Sequence, residues 1–218
     1  APSNDNEVNT LQTIIFATTG NTIDYGDLTA AAWYGTGASD GKRGIHAGGR
    51  RHPVNQVNII DYYSLTSAGN AADFGDLTSA RALLYNGSNG PGHGGLEAFD
   101  SRPVHSGAPT RAVMGSGSQS PADSIINFIE YVNISTAGNN SADFGDLTNS
   151  RRHVSACAST TRACFGGGST PSIGDVIDYV TIATEGNATD FGNLVSSKQE
   201  TGSTSSTTRG IWFGGWKG

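Results

Sequence analysis

The sequence has few of the residues on which several protein classes depend. Its 218 residues include two cysteines and five histidines, with no four-ligand zinc spacing among them. We therefore expect neither a zinc site nor a disulfide-rich framework. No apolar run approaches the length of a membrane-spanning helix, which is about 20 residues. The sequence accordingly predicts no membrane insertion.

Charge is also scarce, and its sign excludes one class of partner. Charged residues make up 15% of the chain, and the formal net charge is -6. No broad basic face is available for phosphates, so we expect no nucleic-acid partner. Glycine, in contrast, is abundant, with 31 residues and no collagen period. This composition favours short strands joined by many tight turns.

The chain contains four copies of one repeat, with signatures at 20–49, 69–117, 138–168 and 186–215. Each signature begins with a Gly-Asn turn and an Asp-aromatic-Gly-Asp-Leu block, and it ends with a strand that starts at an arginine and runs into glycines. The aromatic position is occupied by Tyr25, Phe74, Phe144 and Phe191, and the arginine position by Arg43, Arg111, Arg162 and Arg209. Sequence self-similarity at this period is typical of propellers and other repeat architectures.

Each repeat predicts four antiparallel strands, because β-branched and aromatic residues dominate and glycine interrupts every stretch before a helix can form. We therefore expect an all-β, four-bladed, kelch-like β-propeller that occupies 1–218 as a single domain. The chain opens and closes in the middle of a repeat, which predicts that its first and last strands share one blade.

Part of the sequence resembles known repeat families. The strand Val-Ile-Asp-Tyr-Val at 176–180, together with the Gly-Gly strand ends, looks like a divergent kelch repeat. The sequence at 179–194 and 208–215 is similar to repeats of virion and tail-associated proteins of marine tailed phages. This resemblance implies a non-enzymatic structural or adhesion protein, located on a virion or outside the cell and using no cofactor. It also implies that the partners are other virion or assembly subunits or host-surface glycans.

The recurring side chains have structural interpretations and functional ones. The aromatic column predicts wedges packed between neighbouring blades. The arginine column could bind an anion as a ring, although we favour a framework role in which each guanidinium forks to a carboxylate or to carbonyls. The aspartates of each repeat could bind calcium, but a recurring turn explains them more simply. Ala32 departs from its column, where the other repeats have Arg81, Arg151 and Lys198.

Binding is more plausible than catalysis at the level of sequence, because no nucleophile elbow opens a helix. An insertion at about 88–106 in the second repeat predicts a long exposed loop, and loops on rigid scaffolds carry recognition. A carbohydrate-binding, lectin-like propeller is therefore the alternative function. The candidate binding residues are His93, Glu97, Phe99, Asp100 and His105 in the insertion, with Trp33 and Trp216 outside it.

The two cysteines lie on either side of one predicted tight turn. Counting outward along the hairpin places Cys157 opposite Cys164. Facing positions in an antiparallel pair allow a disulfide, but strained cross-strand bridges are no more common than two buried thiols. Both states remain open at this stage.

Overall fold

The computed structural model describes residues 8–51, 56–82, 85–88, 111–119, 124–136, 138–206 and 208–217. This part of the chain contains strands and turns and no helix, which confirms the all-β prediction. Every ladder between these strands is antiparallel. Within the same ranges, no helix is long and apolar enough to cross a membrane.

The first part of the chain forms a two-stranded hairpin followed by a four-stranded sheet. The N-terminal hairpin consists of β1 (Thr10–Thr13) and β2 (Ile23–Asp27). The first full sheet consists of β3 (Thr36–Ser39), β4 (Arg43–Ala47), β5 (Ile59–Ser64) and β6 (Ala72–Asp76). Its strands pair in chain order, as in a propeller blade.

The middle of the chain repeats this arrangement and adds a short second ladder. In chain order its strands are β7 (Arg81–Ala82), β8 (Tyr85–Ser88), β9 (Arg111–Gly115), β10 (Ser118–Gln119), β11 (Ser124–Ile125), β12 (Phe128–Asn133) and β13 (Ala142–Asp146). The second full sheet is β8, β9, β12 and β13, while β7, β10 and β11 form a separate three-stranded ladder.

The last part of the chain contains another full sheet and a final hairpin. Its strands are β14 (Ser155–Ala158), β15 (Arg162–Gly166), β16 (Ser169–Thr170), β17 (Ser172–Ile173), β18 (Val176–Thr181), β19 (Thr189–Asn193), β20 (Gly202–Ser205) and β21 (Gly210–Phe213). The third full sheet is β14, β15, β18 and β19; β16 pairs with β17, and β20 with β21 forms the C-terminal hairpin.

The hydrophobic core is divided into layers between neighbouring sheets. One cluster combines Ile45, Ile60 and Phe74 of the first full sheet with Ala112, Met114, Val132 and Ile134 of the second unit. A second cluster combines Val113, Ile129 and Phe144 with Ala163, Phe165, Val180 and Ile182 of the third unit. Each unit therefore buries its apolar faces only against its neighbours, which is the energetic pattern of a repeat protein.

The last strands β2, β6 and β13 are each hydrogen-bonded to the Gly-Asn turn of the unit that follows. Gly69 N–H donates to Tyr25 O at 2.8 Å, and Asp27 N–H donates to Asn70 Oδ1 at 3.1 Å. The next junctions repeat the second bond, with Asn140 and then Asn187 as the side-chain acceptor. The recurring Gly-Asn pair therefore serves contacts between units.

The C-terminal hairpin lies over the third full sheet through hydroxyl groups. Ser203 Oγ and Ser205 Oγ donate to the carbonyl oxygens of Ala156 and Ala158, each at 2.7 Å. Ser155 Oγ is also bonded to Thr201 O. Small side chains on β14 and β20 permit this close approach of two strands from different sheets.

The aromatic column is buried only where a following unit covers it. Phe74 and Phe144 are 1% and 2% exposed, and Tyr25 is half-buried, in agreement with a wedge role. Phe191 was expected to behave in the same way, but it is 55% exposed. The physical reason is that, among the described residues, no Gly-Asn turn or further sheet packs over it.

The expected shared blade is not formed. The N-terminal hairpin and the C-terminal hairpin belong to separate sheets, and no strand pairing links them in the ranges given above. The described strands form an open stack of three full sheets with a two-stranded hairpin at each end, together with a three-stranded ladder and one further two-stranded ladder. Among these strands, neither the four predicted complete blades nor the predicted closed ring is present. Similar contacts hold each unit on the next, but nothing in one junction requires the rotations between units to add up to a full circle.

The Asp-aromatic-Gly motif is a bulge, and its glycine is needed for two reasons. Gly145 has φ of +142°, and a Cβ there would lie 2.5 Å from the carbonyl atoms of Gly186 in the next unit. Gly192 has a nearly identical φ of +136°, but a Cβ there would meet nothing within 4 Å. The two glycines therefore share the conformational requirement and differ in the packing requirement.

We predict that Gly145→Ala destabilises the protein about 1–3 kcal/mol more than Gly192→Ala does, because only the first substitution forces two units apart. Urea unfolding at low protein concentration measures both. Equal losses for the two variants would show that backbone strain alone, rather than contact between units, makes the glycine necessary.

Candidate functional site

The structure places the predicted binding residues unevenly. His93, Glu97, Phe99, Asp100 and His105 lie outside the described residues. Trp33 is half-buried and exchanges backbone hydrogen bonds with Arg50 at 3.1 and 2.7 Å. Trp216 is exposed, and its backbone is paired with that of Gln199.

The two tryptophans do not form one aromatic surface. The ring of Trp33 contacts Tyr34, with centroids 6.5 Å apart. Among the residues that the structure describes, no ring contact joins Trp33 to Trp216. Tyr34 has a φ of 62°, a conformation shared by His153 and Glu200 at the same position of later repeats. This backbone strain is therefore a property of the repeat and does not mark a binding site.

The strongest electrostatic feature is a column of buried ion pairs between units. Arg81 contacts Glu130 at 2.8 Å, and Arg151 contacts Asp178 at 2.6 Å, with all four side chains buried. In each pair the arginine follows the edge strand of one sheet, and the acid lies on the third strand of the next. Burial lowers the pKa of both arginines, and the facing carboxylate opposes that effect.

Further hydrogen bonds surround the second of these pairs. Arg151 donates to Val176 O at 2.7 Å and to Gly167 O at 3.2 Å, and Thr148 Oγ1 donates to Asp178 Oδ1 at 2.7 Å. Such bonds offset part of the cost of burying the two charges, and among the described residues only Nε of Arg151 finds no hydrogen-bond partner in this group. Breaking such a pair would leave an isolated charge inside the stack.

The first junction uses a different arginine. Ala32 occupies the backbone position of the column, because its N–H bonds to Val8 O as Arg81 N–H bonds to Val57 O. Asp61 instead receives Arg51, at 2.6 Å, together with the hydroxyl of Thr29 at 2.5 Å. Arg51 therefore replaces the cation that Ala32 cannot supply.

The second arginine column joins units from their surface. Arg43 Nη1 donates to Ile134 O at 2.8 Å, and Arg111 Nη1 donates to Ile182 O at 3.2 Å, so each arginine reaches the unit that follows its own. The guanidinium groups of Arg43, Arg111 and Arg162 also lie over Tyr62, Tyr131 and Tyr179, at 5.3, 4.4 and 4.6 Å from the ring centroids. These contacts fit the framework role better than an anion-binding ring.

Arg162 and Arg209 differ from the first two members of this column. Both are exposed. Each lies near the end of the stack, where the described residues provide no following repeat to receive the guanidinium.

The recurring aspartates serve the bulges. Asp24, Asp73 and Asp190 each accept a hydrogen bond from the glycine N–H two residues later, at 3.1, 3.0 and 2.8 Å. This is the local turn contact that the sequence favours over calcium binding. Within the described ranges, no three His, Cys, Asp or Glu side chains are grouped closely enough to hold a metal ion.

Cys157 and Cys164 are paired in register on β14 and β15, as the hairpin count predicts, and both are free thiols. Burial raises the pKa of Cys157 to about 12, with a smaller contribution from Cys164. Burial also raises the pKa of Cys164. The thiols therefore behave as small apolar side chains at neutral pH, and of the two states that the sequence left open the structure has the free thiols.

Sequence reasoning missed Asp61, Glu130, Asp178 and Arg51. The acids recur after two apolar residues on the third strand of each full sheet, and this period could have identified them. Arg51 had no such signal, because it stands outside the repeat columns. Compared with protein-family models and with curated proteins, the chain matches none of them.

Arg51→Ala should destabilise the protein by about 3–5 kcal/mol, because it leaves the carboxylate of Asp61 buried without a cation. The double variant Arg51→Ala/Ala32→Arg should recover most of this loss, since it places a guanidinium where Arg81 and Arg151 have theirs. Chemical denaturation measures both variants.

The control for these two variants is Glu185→Gln, which removes the exposed ion pair with Arg111. It should lower the free energy of unfolding by at most about 1 kcal/mol. If the double variant is no more stable than Arg51→Ala, then Arg51 does not replace a missing column arginine.

Alkylation of Cys157 should report its raised pKa. In a Cys164→Ser variant, the rate with iodoacetamide should rise about tenfold per pH unit from pH 7 to pH 10, whereas in the urea-unfolded chain the rate should reach half its maximum at about pH 8.5 and then level off. The unfolded thiol ionises first, so this group also removes stability as the pH rises above its unfolded pKa. A folded-state rate that reaches half its maximum at about pH 8.5, as in the unfolded chain, would contradict the raised pKa.

Proposed function

We propose that the protein is a non-enzymatic structural and adhesion component of a phage virion or tail, built from kelch-like, blade-shaped repeats. In this role it holds other virion or assembly subunits, or a host surface, through side chains displayed on a rigid stack. The resemblance of its repeats to those of marine tailed-phage proteins suggests the setting.

One observation carries the structural part of the proposal. The fully buried charged side chains of the described residues form three ion pairs. Arg81–Glu130 and Arg151–Asp178 join one unit to the next, whereas Arg51–Asp61 lies within the unit of the first full sheet and is joined to the preceding unit through the hydroxyl of Thr29. Buried ionisable groups with perturbed pKa values are common in catalytic sites. Here the buried charged groups hold repeats together instead, which favours a scaffold over an enzyme.

The alternative function is carbohydrate binding by the same scaffold. Trp216 is 58% exposed, and an exposed indole can stack on a sugar face.

Two measurements separate these functions. Mass spectrometry of purified particles, with gold-labelled antibody to locate the protein, should find it on the virion or tail. Recovery only in the particle-free fraction would refute the virion role. A glycan array followed by dissociation constants for wild type and Trp216→Ala tests the alternative, which is excluded if no sugar binds or if the variant binds as wild type does.

A further inference from the structure

The two ends of the stack are complementary halves of one blade. β1 and β2 occupy the positions of β5 and β6, and they carry the same bulge at the same place. β20 and β21 correspond to β3 and β4. In every full sheet the second strand pairs with the third. The described residues provide no such partner for β21 or for β1.

Exposed apolar side chains concentrate on these two ends. Phe16 is 96% exposed, whereas Ile134 and Ile182, at the same position of later repeats, are fully buried. Phe191 shows the same contrast with Phe74 and Phe144. The exposed apolar residues of the N-terminal end are Val8, Ile14, Ile15, Phe16 and Ile23, and those of the C-terminal end are Phe191, Val195, Ile211, Phe213 and Trp216.

Each end of the stack also has one of the two partners of polar contacts that are seen at the internal junctions. At each internal junction, an asparagine side chain accepts from the N–H of the edge strand, as Asn187 does from Asp146. Asn193 is the corresponding donor at the C-terminal end, and Asn21 is the corresponding acceptor at the N-terminal end. Arg162 likewise lies where Arg43 and Arg111 reach a carbonyl of the next unit, and the equivalent carbonyl is that of Phe16.

Two substitutions show that the ends match each other. Internal acids such as Asp178 receive both an arginine and a threonine hydroxyl. At the N-terminal end the acid is replaced by Gln12, and at the C-terminal end the threonine is replaced by Val195. A neutral amide facing an apolar side chain avoids the cost of a buried, under-bonded carboxylate. Lys198, in the arginine column, can still donate to the amide oxygen.

The geometry points to a head-to-tail contact in which the C-terminal hairpin of one copy and the N-terminal hairpin of a second copy complete a four-stranded sheet. The register follows from the internal sheets, where Cys164 faces Tyr179. By the same offset, Ile211 of one copy faces Thr13 of the other. This contact covers Phe16 and Phe191 and pairs both free strand edges.

The partner of each terminal hairpin is a second copy of the chain, because the two hairpins of one chain lie in separate sheets and leave their apolar faces exposed. The contact is heterologous, so repeating it yields a ring or a filament of copies. This contact involves only the two terminal hairpins, so it does not depend on whether the protein belongs to a virion.

The first experiment is sedimentation velocity across a wide range of concentration. Wild type should form dimers and larger species as the concentration rises, and Gly192→Ala should lose them, because a Cβ there meets the Gly-Asn turn of the incoming copy. The control Phe128→Lys removes an exposed apolar side chain away from both hairpins and should assemble as wild type does. A wild type that stays monomeric throughout would overturn the inference.

The second experiment tests the register without relying on stability. In a Cys157→Ser/Cys164→Ser background, Ile211→Cys protein is mixed with Thr13→Cys protein and oxidised; the expected product is a disulfide between the two different chains. A chain carrying both new cysteines should cross-link between molecules. Cross-linking within single chains would mean that the ring closes on itself and would overturn the proposed partner. Neither result bears on whether the protein is found on particles.

Discussion

The buried ion pair between neighbouring units is the interaction on which the rest of the stack depends. Moving an arginine and a carboxylate out of water costs several kcal/mol per ion, so each pair is stable only in the arrangement that brings both groups together. For Arg81 and Glu130 that arrangement requires one sheet to be stacked on the next in a single register. The pair therefore contributes specificity of stacking at least as much as stability.

The other repeated features follow from this stacking. The bulge at Gly75 or Gly145 lets the turn of the next unit approach the edge strand, and the asparagine of that turn then satisfies a backbone N–H. Apolar side chains fill the space between the sheets that these bonds define. Stability in such a stack is approximately a sum over neighbouring units, so each junction can be considered separately.

The sequence indicated the strands, the four-stranded unit and the facing cysteines, because these depend on local patterns and on counting within a repeat. It also indicated the burial of Phe74 and Phe144, which occupy the same column. It did not predict that Phe191 would be exposed, since that depends on whether another unit follows in space. Closure was beyond sequence reasoning for the same reason, because it depends on a rotation between units that no single residue determines. Arg51 could not be found from the columns, because it acts from outside them.

The hydroxyl contacts of the C-terminal hairpin give this end of the stack a different thermal character. Exposing apolar surface raises the heat capacity, whereas exposing polar surface lowers it. Separating two full sheets exposes the apolar layer between them. The free energy of association of the two sheets therefore depends strongly on temperature. The contact of Ser203 and Ser205 with the backbone of β14 is largely polar, and its free energy changes more evenly on heating and cooling. These hydroxyl bonds therefore depend on temperature in a different way from the apolar layers between the full sheets.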